Sequence, residues 1–173
     1  MVAALHADTD QQQRRDAGDR LDQAAGWRPG FGDPDGFRVD DCATQRNLDD
    51  AGRRQAAAIG AWLRDRGIRS ARVYSSQWCR CLDTARLLGL GDVTPLPSLN
   101  SFFQRREQRA DRLAALRAFL ARQPRHAEPL VLVTHQVTVT AMTGIFADSG
   151  DGVVATLGTD GMLSDFARLD FDD

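Results

Sequence analysis

Three histidines, a serine pair followed by an arginine, and the complete absence of lysine are the features of this chain that bear on chemistry. His135 closes the run Leu130-Val131-Leu132-Val133-Thr134, in which apolar, partly β-branched residues follow one another without alternation. Such a run reads as a parallel strand covered on both faces. Ligands of open α/β sheets bind beyond the carboxyl ends of the strands, so a histidine at this point is placed for chemistry. His6 stands in the same relation to a short strand over 2–5. His126 falls in a polar loop and reads as a surface residue. Arg80 comes four residues after Ser76, where a helix starts directly behind a strand. Two strand-end histidines and a helix-start arginine make a phosphate pocket. One imidazole attacks phosphorus, while the other and the arginine hold the charge that builds on the oxygens. Amides at the helix N-termini add donors to the same anion.

Composition narrows the alternatives. All 22 basic residues are arginine, which removes Schiff-base chemistry, pyridoxal phosphate attachment and Walker-type phosphate loops, since each needs a lysine amine. Anion binding falls to arginine, whose planar fork suits phosphate and carboxylate. Glu107 and Glu128 are the only glutamates, so glutamate-based proton transfer has just those two candidates. With a net charge of −2 there is no basic excess of the kind a nucleic-acid partner requires. No apolar run reaches the length of a membrane span. The opening residues turn acidic too soon for a signal peptide, which leaves the cytoplasm as the expected location.

The cysteines offer a separate chemistry. A cysteine phosphatase needs Cys-x5-Arg, whereas Cys42 reaches Arg46 after three intervening residues and Cys81 reaches Arg86 after four. Zinc would need a second Cys/His pair at ligand spacing, and none exists, so neither metal nor cofactor is expected. A disulfide from Cys42 to Cys79 or to Cys81 stays open, and would suit an exported protein.

The elements that must position these groups follow the α/β pattern. Asp49 or Asp50 caps a helix carrying Ala56, Ile59, Trp62 and Leu63 on one face, closed at Gly67. A strand over 72–76 leads into a helix over 78–88 that stops at Gly89. An edge strand over 93–96 is limited by Pro95 and Pro97. A helix over 105–122 presents Leu113, Leu116 and Leu120, and its many arginines read as a solvated face with aspartate partners. A helix is placed over 137–146. Strands over 153–157 and 167–171 are joined through Thr159-Asp160-Gly161. The expected architecture is a three-layer α/β/α sandwich around a mainly parallel sheet. Residues 29–173 form its domain, preceded by an atypical segment over 1–28 that continues from the strand at 2–5 into a loop or insert.

Several motifs in order carry a family resemblance. Ser75-Ser76-Gln77-Trp78-Cys79-Arg80-Cys81-Leu82-Asp83-Thr84-Ala85 resembles the SSxxxRxxxTA signature of the histidine phosphatase superfamily, the phosphoglycerate-mutase-like proteins. Leu48-Asp49-Asp50-Ala51-Gly52-Arg53-Arg54-Gln55-Ala56 is similar to that family's LTxxGxxQA helix start, and Val133-Thr134-His135 to its second catalytic histidine. Gly32-Asp33-Pro34, the stretch from Asp41 to Leu48, Trp78-Cys79-Arg80-Cys81 and Asn100-Ser101-Phe102-Phe103 resemble a small-phosphatase subgroup within it. The front end departs from the pattern. In one register Gln23 and Ala24 stand where the family's Arg-His belongs. In the preferred one, His6-Ala7-Asp8-Thr9 keeps the histidine, with Leu5 in the arginine's place.

The resemblance implies hydrolysis of a phosphomonoester in two steps. His6 attacks phosphorus to give a phosphohistidine, which water then hydrolyses. It further implies that Arg80 and His135 bind the phosphoryl oxygens, with Arg46 reaching the same anion. Asn100 stands where many relatives offer an acid. The implied partner is a small phosphorylated substrate or inorganic phosphate. One charged hydrogen bond fewer is worth about 2–5 kcal/mol, so weak activity is expected. The alternative is a phosphate- or phosphoester-binding domain that keeps Arg80 and His135 without turnover.

Overall fold

The computed structural model describes residues 1–6, 32–124, 128–158, 160–169 and 171. The readings placed on 7–31 and on His126, and the side chain of His6, lie outside the described residues. In chain order the elements are β1 (Val2–His6), α1 (Asp50–Asp65), β2 (Arg72–Ser75), α2 (Cys79–Leu88), β3 (Val93–Pro95), α3 (Arg109–Ala121), β4 (Leu130–Thr134), α4 (Gln136–Thr143), β5 (Gly152–Leu157) and β6 (Leu163–Leu169). The strands form one six-stranded sheet in the order β3-β2-β4-β1-β5-β6. β3, β2, β4 and β1 run parallel, and β5 and β6 close the other side as an antiparallel hairpin.

The apolar run over 130–134 explains the centre of this sheet. Every residue of β4 is buried, with β2 on one side and β1 on the other. Successive side chains point to opposite faces. Val131 and Val133, with Ala3, Leu5 and Val73, meet Ile59 and Leu63 of α1 and Cys81, Ala85 and Leu88 of α2. Leu130 and Leu132, with Val2, meet Leu116 and Leu120 of α3 across the opposite face. Helices therefore cover both faces, and the three-layer architecture is the one expected. Among the described residues, no helix is long and apolar enough to cross a membrane.

Helix ends follow local chemistry. The Asp49 side chain accepts from the Gly52 amide at the start of α1, and Gly89, with φ 63°, ends α2 in the left-handed region that glycine tolerates. The helix expected over 105–122 is shorter. Residues 106–108 form a 3-10 turn, and α3 begins at Arg109, with no side-chain cap from Gln108. Its arginines are exposed except Arg112, which donates to the Pro97 carbonyl and the Gln108 side chain rather than to an aspartate. Burial, and then the nearby Arg105 charge, lower the Arg112 pKa. The last strand starts at Leu163 instead of 167. Its middle residues are all exposed, so it buries no face that an alternating pattern would record.

α1 and α2 approach closely at Gly60, where an added Cβ would collide with the Leu88 carbonyl. Gly60→Ala is therefore expected to destabilise the domain by about 1–3 kcal/mol, as overpacking does. Urea unfolding monitored by tryptophan fluorescence checks this.

Candidate phosphate site

The parallel strands β1, β2 and β4 end at the same edge of the sheet, and each end carries a group singled out above. His6 pairs with Thr134 in the β1–β4 ladder, so the backbone of His6 lies beside the residue preceding His135. Ser75 pairs with Val133, and the Ser76 amide donates to the Val133 carbonyl at 2.8 Å. α2 starts three residues after Ser76 and brings Arg80 to its first turn. The structure thus brings His135, Ser76 and Arg80 together, with the end of the His6 strand adjacent.

His135 is 5% exposed and engaged on both ring nitrogens. Arg80 Nη2 lies 3.4 Å from Nδ1, and Ser76 Oγ lies 2.8 Å from Nε2. A guanidinium can only donate, so Nδ1 accepts and Nε2 carries the proton, which goes to Ser76 Oγ. Ser76 passes the polarity on to Asn100 Oδ1 at 3.2 Å. Asn100 also accepts from the Gln77 amide and donates to the Gln77 side chain, both at 2.8 Å. Its amide is therefore built into the turn after β2. The Trp78 ring packs edge-on against the imidazole with centroids 5.1 Å apart, closing an apolar side of the site. The Cys81 sulfur, fully buried, sits 3.6 Å from Nε2.

Arg80 is 6% exposed, and a buried cation needs an opposite charge. Asp33 supplies it. Its Oδ1 accepts from Arg80 Nη1 at 2.7 Å and its Oδ2 from Nη2 at 3.3 Å. The same carboxylate accepts from the Trp78 indole at 2.7 Å and the Arg46 amide at 3.1 Å, while the Arg46 carbonyl accepts from Arg80 Nη1 at 3.3 Å. The Arg46 backbone thus bridges both members of the pair, and its guanidinium donates to the Gly32 carbonyl at 3.2 Å. In the sequence Asp33 is legible only as part of a turn and of a subgroup motif. No spacing rule ties it to an arginine 47 residues away.

The segment over 32–47 is fixed to the start of α2 at two further points. Cys42 and Cys79 form a disulfide, which resolves the pairing left open by the sequence, and the buried Cys81 is not part of it. Gln45 Oε1 accepts from the Cys79 amide at 2.9 Å, serving the N-terminus of a helix whose own N-cap residue, Trp78, makes no side-chain cap. A small apolar cavity lies between the sheet and the α3–α4 side, lined by Ala4, Leu116, Leu120, Leu132 and Met142 among others. No charged residue lines it among the described residues, so it offers nothing to an anion.

Similarity to known proteins points the same way. Residues 42–103 match the family model described as the histidine phosphatase superfamily (branch 1). No curated protein sequence matches the chain. Among solved structures, the fold is similar to that of the protein histidine phosphatase SixA complexed with tungstate, at 17% identity and a TM-score of 0.61, covering 99% of this chain and 97% of that one. It is also similar to phosphoglycerate mutase from Thermus thermophilus, at 19% identity and a TM-score of 0.56, covering 98% and 99%. A putative phosphohistidine phosphatase SixA from Nakamurella multipartitia matches at 21% identity and a TM-score of 0.54, covering 79% and 90%. The fold is phosphoglycerate-mutase-like, as the sequence motifs implied.

The disulfide closes a separation of 37 residues. Loop-entropy arguments put its stabilisation at about 2–4 kcal/mol. Reductant should lower the urea midpoint of the wild type and leave a Cys42→Ser/Cys79→Ser variant unmoved.

Proposed function

We propose that this protein hydrolyses phosphomonoesters through a phosphohistidine formed on His6. The observation that carries the reading is the register His6↔Thr134, which sets the end of the His6 strand beside His135 while Arg80 reaches the same point from α2. The motif match over 42–103 and the fold-level likeness to SixA and phosphoglycerate mutase support it.

In the first step an imidazole nitrogen of His6 forms a bond to phosphorus as the ester oxygen leaves with its electron pair. His135 and Arg80 stabilise the negative charge on the three non-bridging oxygens, a role suited to donors held in a water-poor site. In the second step water attacks phosphorus, the P–N bond breaks, and inorganic phosphate leaves. The Arg46 backbone lies against Asp33 and Arg80, and its guanidinium, donating to the Gly32 carbonyl, adds positive potential to this neighbourhood. Leu5, standing where the family has an arginine, favours a slow enzyme or a phosphate-binding domain without turnover.

An activated aryl phosphate tests the scheme, because its leaving group departs without a proton donor. At mildly acidic and neutral pH, wild type is expected to turn over and to yield acid-labile phosphate on the protein after a rapid quench. His6→Ala should abolish both signals, and His135→Ala should lower the rate by about 10²–10³-fold, as loss of an oxyanion donor does. Turnover surviving in His6→Ala rules out His6 as nucleophile. Phosphate binding without turnover in any form identifies the binding domain.

A further inference from the structure

One buried charged group in this neighbourhood has no part in the two-step scheme. Asp33, with its side chain 4% exposed, accepts from four donors: both terminal nitrogens of Arg80, the Trp78 indole and the Arg46 amide. We infer that Asp33 is the positioning residue of the phosphate site, fixing the plane and direction of the Arg80 guanidinium so that Nη2 is held against His135. The inference rests on the phosphate-site reading given above.

The geometry separates this role from two simpler ones. A carboxylate could occupy the anion's own place and yield it to substrate. Asp33 does not fit that description, because an indole and a peptide amide complete its cage and neither belongs to the set that would hold a phosphoryl group. The carboxylate is a permanent member of the structure. It could alternatively be a staple joining the 32–47 segment to α2. That connection is already made by the Cys42–Cys79 disulfide and by Gln45 on the Cys79 amide, so the segment keeps its anchors without Asp33.

What Asp33 alone supplies is a bidentate partner for the guanidinium. Two parallel hydrogen bonds define the orientation of that planar group, where a single one would leave it free to rotate. The Arg46 carbonyl on Nη1 reinforces the same orientation. An arginine ordered in advance loses little freedom when the anion arrives. The arrangement has an electrostatic consequence in the opposite direction, since a fixed carboxylate beside Arg80 weakens its pull on phosphate. Orientation outweighs that repulsion here because a displacement of a reacting or binding group by about 1 Å can cost on the order of 100-fold.

The test is a double-mutant cycle on inorganic phosphate affinity, measured by calorimetry for wild type, Asp33→Asn, Arg80→Gln and the double variant, with thermal unfolding followed in parallel. Asp33→Asn is expected to bind phosphate ~10–100-fold more weakly. The double variant should bind no more weakly than Arg80→Gln alone, because Asp33 acts through Arg80. Asp33→Glu, which keeps the charge but shifts the carboxylate by one methylene, should also bind more weakly than wild type, and it answers the question if Asp33→Asn does not fold. Unchanged or tighter binding in Asp33→Asn, wild-type affinity in Asp33→Glu, or an Asp33 effect undiminished in the Arg80→Gln background overturns the positioning role alone. Absence of phosphate binding by wild type overturns the phosphate-site reading and the inference with it.

Discussion

An arginine as buried as Arg80, 6% exposed, cannot stand without a counter-charge, and its pairing with Asp33 answers that requirement. The pair draws in the segment over 32–47, the start of α2 and the Trp78 indole, which donates to the same carboxylate. Breaking a buried pair by removing one partner costs about 3–5 kcal/mol, because the remaining charge stays buried and uncompensated. The supporting bonds converge on the same place. Gln45 serves the first amide of α2, and the disulfide covers the adjacent turn.

The second constraint is the parallel sheet. Parallel strands joined through helices deliver their carboxyl ends to one edge, and helices that follow those strands begin there. β4 ends at Thr134, and His135 is the single residue between it and α4, so the imidazole sits where strand and helix meet. β2 ends at the serine pair. Ser75 and Ser76 are fully buried, which makes them structural parts of the turn rather than exposed nucleophiles. The Ser76 hydroxyl donates to Asn100, which in turn bonds the Gln77 amide and side chain, so the polar groups behind His135 form a connected network.

Much of the fold is legible without coordinates. The apolar run over 130–134, the aspartate cap at 49, the glycine stops at 67 and 89 and the Ser-Ser…Arg motif are local patterns, and each marks an element or a group where the structure has one. The less successful readings share one physical cause. β6 is exposed along its middle and the turn before α3 has no capping side chain, so neither leaves the periodic or terminal signal on which sequence reasoning depends.

For the site the division is sharper. Residue types and local spacing specify the chemical groups: histidines at strand ends, an arginine at a helix start, no lysine, and a Cys42 with two cysteines to choose between. The tertiary structure decided the partnerships. It selected Cys79 over Cys81 for Cys42, and Asp33 among many aspartates as the counter-ion of Arg80. The reason is one of range. A helix start or a buried strand is specified by residues a few positions apart, whereas a carboxylate 47 residues from its arginine meets it only after strand order and loop path have closed the distance.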